Sequence, residues 1–133
     1  MTGRGRADRG FTLIELMVVM SIIVTLATIG LVQYRQSVLF TREAVLRSDL
    51  RDMRDAIDQY HADKDQDPAS LEDLVTSGYL RALPKDPITN SADTWQTEMS
   101  DPDPSNPTAS IGIRDVKSGS DQTAMDGSLY ADW

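Results

Sequence analysis

The feature that most restricts the fold is a run of 24 residues, Phe11 to Tyr34, in which 17 are apolar and only Glu15 is charged. At 1.5 Å of rise per residue, about 20 such residues cross the hydrocarbon of a bilayer, so the run is long enough to span. The remainder, roughly a hundred residues rich in Asp, can bury a modest core but leaves little room for a deep cleft. There is no cysteine, and His61 is the one histidine. Disulfides, thiolate metal sites, cysteine nucleophiles and His-pair zinc sites are thereby excluded. No Ser-His-Asp or Cys-His spacing exists either, and the chain reads as a non-enzyme.

Charge is as unevenly placed as hydrophobicity. Arg4, Arg6 and Arg9 against Asp8 give residues 1–10 a charge of +2, within a formal net charge of −8, so the chain without them carries −10. An acidic body repels phosphate backbones, which argues against a nucleic-acid partner. The basic flank favours a cytoplasmic N-terminus and a body outside, with Arg35 and Arg42 diluting that bias without reversing it. A secretory signal peptide shares the basic-then-apolar order. This run, however, exceeds the ~7–15 residues of a signal core, lacks an A-x-A site and carries a carboxylate at its start. At mid-bilayer that carboxylate costs on the order of 2.5–3.5 kcal/mol, and less near the interface. Either Glu15 sits solvated or protonated among headgroups, or it finds a cationic partner when subunits pack.

The stretch Arg-Gly-Phe-Thr-Leu-Ile-Glu-Leu at 9–16 resembles the processing site of type IV pilins and of the pseudopilins of type II secretion. The resemblance implies that a prepilin peptidase cuts between Gly10 and Phe11 and that the new amino group of Phe11 is methylated. Residues 1–10 are then a leader, and Glu15 is the fifth residue of the mature chain. It further implies that Glu15 of one subunit approaches the positive Phe11 terminus of a neighbour, a pair that gains when water is excluded. Gly10 suits the cleavage site because it brings no Cβ into a membrane-embedded active site. Where the family commonly carries a proline about twenty-two residues into the mature helix, this chain has Val32, and Gly30 offers either flexibility or close packing.

Residues 11–35 form the apolar segment and 36–62 an amphipathic stem. In the stem Leu39, Leu46, Leu50, Met53, Ile57 and Tyr60 recur at spacings of seven, four, three, four and three, which is one face of a helix. Glu43 and Arg47, Arg51 and Asp55, and Arg54 and Asp58 stand four apart, as exposed pairs worth about 0.2–0.5 kcal/mol each. Nothing between Tyr34 and Ser37 breaks a helix, so the two segments join into a stalk of roughly fifty residues. Its bare apolar half is stable only in lipid or against other copies.

Residues 63–133 make a small body, and the fold class is α+β with a pilin-like long helix. Alternating aspartates at 63–67 invite an EF-hand reading, which fails because Pro68 stands where the loop needs Gly and Leu74 where it needs Glu. Ser70 and Asp73 form a variant capping box ahead of Leu71, Leu74 and Val75, and Gly78 stops that short helix. The segment at 78–87, Gly-Tyr-Leu-Arg-Ala-Leu-Pro-Lys-Asp-Pro, is similar to the linker between second helix and sheet in G-type pseudopilins. Strands are expected in Thr94–Met99 and Ser110–Val116, as part of two or three antiparallel strands covered by a buried Trp95. Between them, Ser100–Pro107 is an exposed loop. The tail, 116–133, resembles the C-terminal calcium loop of the G-type pseudopilins. That likeness implies Ca²⁺ held by Asp121 and Asp126 with nearby carbonyls, while Asp132 competes with the alternative that Trp133 anchors the tail. A solvated, turn-rich tail is the other reading.

The resulting expectation is a type II secretion pseudopilin of the G type, single-pass in the inner membrane with its body in the periplasm. Its partners are further copies in a helical filament, the prepilin peptidase, minor pseudopilins, inner-membrane assembly proteins and the membrane itself. A type IV pilus subunit for adhesion, motility or DNA uptake is the nearest rival, and a membrane-tethered binding module the next.

Overall fold

The computed structural model describes residues 10–133; of the expected leader, residues 1–9 lie outside the described residues. One helix, α1 (Leu13–Lys64), runs for 52 residues without a break. It continues through Gly30, Val32 and the boundary expected at 35, because no residue there lacks a backbone donor or clashes with the preceding turn. It ends where Asp65 turns left-handed at φ 53° and donates its N–H to the His61 carbonyl (2.8 Å). The chain divides into two compact units, one ending at Val38 and the other covering Leu39–Trp133.

In the first unit every described residue up to Ser37 is exposed, including Phe11 at 84% and Leu13 at 78%. Three of its hydroxyls, on Ser21, Thr25 and Thr28, are satisfied inside the helix. Ser21 donates to the Met17 carbonyl, Thr25 to that of Ser21 and Thr28 to that of Val24, all at 2.8 Å. Back-bonding four residues upstream removes the penalty of an unpaired donor in an apolar medium.

The second unit is built on the inward stripe of α1, where Leu46, Leu50, Met53 and Ile57 are almost fully buried. Each such burial contributes on the order of 1.5–3 kcal/mol. Against them pack Leu71 and Leu74 of α2 (Leu71–Thr76), with Trp95, Ile113, Val116 and Tyr130. The capping box of α2 is reciprocal: Asp73 N–H donates to Ser70 Oγ (3.3 Å) and Ser70 N–H to Asp73 Oδ2 (3.0 Å). Gly78 closes the turn at φ 84°. Two strands, β1 (Gln96–Met99) and β2 (Ile113–Lys117), pair antiparallel with Thr97 opposite Val116. Both strands start later than the sequence windows suggested. Residues 101–110 between them are exposed, and Trp95 is buried with its indole N–H on the Pro84 carbonyl (2.8 Å).

The surface pairs expected along the stem are rearranged. Glu43 does not face Arg47 in water; it is buried, because the stripe of 46, 50, 53 and 57 extends one turn back to 43. Arg54 turns from Asp58 to the body, where Nε donates to Asp115 Oδ1 (2.7 Å) and Nη2 to the main-chain oxygens of Val116 (3.0 Å) and Trp133 (2.6 Å). Arg51 and Asp55 form no ion pair among the described residues. The bonds available across the fold outnumber those of an i,i+4 pair, so the long-range partners win.

Asp86, fully buried in the segment after Pro84, organises the loop between α2 and β1. Its Oδ1 accepts the Ile88 N–H (2.8 Å), its Oδ2 the Ser118 hydroxyl, and its main chain pairs with Ser91 and Asn90. Replacing Asp86 by Ala strands these donors. A loss of about 3 kcal/mol or more is expected, read as a lower melting temperature of the full chain, whereas Lys85→Ala leaves it unchanged.

Candidate assembly site at the N-terminus

The residues expected to carry processing and assembly lie together where α1 starts. Gly10 is exposed, and a Cβ built on it meets nothing within 4 Å, so the chain's own packing does not require glycine there. Phe11 is exposed ahead of the helix. Thr12 caps the helix, with Oγ1 accepting the Glu15 N–H (3.2 Å) and its carbonyl accepting the Leu16 N–H (3.1 Å). Glu15 therefore stands at the third helical position of a Thr-x-x-Glu start, on the first turn, where the helix dipole favours an anion by about 0.3–1 kcal/mol. That pattern was legible in the sequence and adds a local reason for the acid. Among the described residues its carboxylate oxygens accept no hydrogen bond and join no ion pair, and the residue is exposed.

The apolar helix behind this start has an 18-residue window of mean hydropathy 2.3, none of it buried by the rest of the chain. Among the described residues the arrangement is thus an exposed aromatic, an unpaired acid one turn later, and an exposed apolar rod.

The tail holds the other expected site. Asp121 is exposed. Asp126 Oδ1 accepts both the Ser128 N–H (2.9 Å) and the Ser128 hydroxyl (2.6 Å), while Oδ2 lies 3.6 Å from Arg47. These hydrogen bonds, and secondarily the guanidinium, hold the Asp126 carboxyl below its usual range. Trp133 anchors the tail: its indole donates to Ser128 Oγ (2.7 Å), its ring meets Tyr130 edge-on at 5.1 Å, and Arg47 lies 4.3 Å above it. No three His, Cys, Asp or Glu side chains form a metal-binding group among the described residues.

Sequence reasoning missed the centre of this lock. Glu43 Oε1 accepts the Met125 N–H and the Tyr130 hydroxyl, both at 2.8 Å. No local signal marks Glu43, because its partners are more than 80 residues away. His61, exposed in the last turn of α1, sits with its Nδ1 2.7 Å from Oδ1 of the nearly buried Asp67.

Residues 5–31 match the family model for the prokaryotic N-terminal methylation motif. The N-terminus carries the type IV pilin-like signal. The match takes in Gly10, Phe11 and Glu15 and ends short of the body. No curated protein and no solved structure shows significant similarity to the chain.

Burial, then the hydrogen bond to Glu43, pushes the Tyr130 hydroxyl from 10.0 up to about 12. A folded-state value above the unfolded one means that the native state binds this proton more tightly. The contribution is fully present below about pH 10 and is lost as pH rises from about 10 to about 12. Alkaline absorbance titration should show a late phenol that Tyr130→Phe removes and Glu43→Gln shifts downward. Simultaneous ionisation of all tyrosines near pH 10 would contradict the buried pair.

Proposed function

We propose that this chain is a structural subunit of a type II secretion pseudopilus. A prepilin peptidase cuts it between Gly10 and Phe11, the new Phe11 amino group is methylated, and copies polymerise in the periplasm into a filament that assists protein export. The observation that carries the reading is a methylation motif placed at the start of a helix whose apolar window is exposed among the described residues. Lipid covers such a rod before assembly and neighbouring copies cover it afterwards.

The glycine at 10 supports an external reader of the site, since the fold itself leaves room for a side chain there. The acid at 15 supports a contact between copies. Exposed on the first turn and unpaired among the described residues, it can meet the methylated amino group of a neighbour, and two such charges attract strongly once water leaves. Choosing the pseudopilus over a surface pilus rests on the segments at 78–87 and 116–133 and on the absence of cysteine. Loss of secretion with motility intact on gene deletion supports the choice; the opposite outcome reverses it.

Calcium at Asp121 and Asp126 is part of the same proposal. Its support is donor chemistry: two exposed aspartates on one irregular segment, one of them held ionised. Binding requires Arg47 to give up its 3.6 Å contact. Titration with Ca²⁺ should release heat that is lost in the Asp121→Ala, Asp126→Ala double variant. No heat at millimolar Ca²⁺ removes the ion and leaves the filament reading standing.

Mass spectrometry of the protein recovered from membranes tests processing directly. The expected mass is that of residues 11–133 plus one methyl group, and Gly10→Val should leave the unprocessed chain. An intact Met1 in the wild-type protein would overturn the proposal.

A further inference from the structure

One strip on the exposed side of α1 in the body carries four charges in a segregated order. Arg47 and Arg51 come first, then Asp55 and Asp58. At 100° per residue these positions fall within a strip about 80° wide. All four are exposed. Arg51, Asp55 and Asp58 take no ion pair among the described residues, and Arg47, more than half exposed, lies 3.6 Å from Asp126 and over the Trp133 ring. Arg54, at the edge of the strip, is held by Asp115 and takes no part. The strip therefore has a positive half and a negative half, and among the described residues Arg51, Asp55 and Asp58 keep their charges unpaired while Arg47 shares its own with Asp126.

We infer that this strip is a contact surface for a second copy of the same chain, and that it selects an axial offset between parallel copies. The inference rests on the filament reading above. Laid side by side in register, two strips put arginine against arginine and aspartate against aspartate. Shifted by seven to eight residues, about 11 Å of helix, Arg47 of one copy meets Asp55 of the next and Arg51 meets Asp58. Antiparallel copies would also match charges, but copies anchored in one membrane through the same apolar end all point the same way. Such a contact is heterologous: the positive half of one copy meets the negative half of the next. Each pair is weak and salt-sensitive, so the strip sets register and the apolar rod supplies adhesion.

Charge exchange in the full-length chain tests this, with sedimented filament as the readout and membrane level of unassembled subunit as the folding control. Arg51→Asp and Asp58→Arg should each lower filament yield about fivefold or more at low salt. The double variant Arg51→Asp, Asp58→Arg should restore it, because residue 51 of one copy again faces an opposite charge at 58 of the next. Within one chain the exchange sets an aspartate at position 51 beside Asp55 and an arginine at position 58 beside Arg54, so recovery has no intrachain source. Single variants that assemble like wild type, or a double variant no better than either single, overturn the strip while leaving the filament standing. A wild-type chain that yields no sedimentable polymer overturns the filament reading and the strip with it.

Discussion

An apolar helix left exposed among the described residues is the constraint on which everything else depends. Folding normally buries such a surface at roughly 25 cal/mol per Å², yet here the first unit stays exposed while a separate core forms around the later turns of the same helix. The chain is thus stable only with an external apolar partner for its N-terminal third. Local details comply with that demand. The hydroxyls of Ser21, Thr25 and Thr28 turn back onto the helix, and Glu15 stands at its first turn, where the helix dipole favours an anion.

The body meets a different constraint, that of holding a long tail and a short sheet with a small apolar core. It does so by burying polar groups that are fully paired. Glu43 fixes the tail through Met125 and Tyr130, Asp86 fixes the loop before the sheet through Ile88 and Ser118, and Arg54 ties α1 to β2 and to Trp133. Among the described residues no buried side-chain nitrogen or oxygen lacks a partner. In a low-dielectric interior a paired carboxylate specifies position, whereas an orphaned one would unfold the site.

What the sequence made legible were features whose cause is local. The apolar run, the stripe at 46, 50, 53 and 57, the Ser70–Asp73 cap and the stop at Gly78 each follow from spacing along a single element, and each is present. Gly10, Phe11 and Glu15 were picked out by a resemblance to a processing site, and the match to the methylation motif spans them. Glu43, Asp86 and the partners of Arg47 and Arg54 were not, since their contacts join residues dozens of positions apart. A helix-surface rule reads such residues as solvated pairs until the body is placed against them. Strand starts slipped for a related reason: in a two-stranded sheet the register is set by the bulge between Glu98 and Met99 and by what packs beneath, not by the apolar count alone.

The account stands on the acid of the rod being a contact between copies and not a passenger at the membrane surface. The direct measurement is electron microscopy of filaments from cells producing Glu15→Ala or Glu15→Asp in place of the wild-type chain, with cleavage at Gly10 verified in each. The account predicts that the alanine variant is cleaved and inserted but forms no filaments, and that aspartate, keeping the charge, restores part of the assembly. Filaments of ordinary length and number from the alanine variant would contradict it.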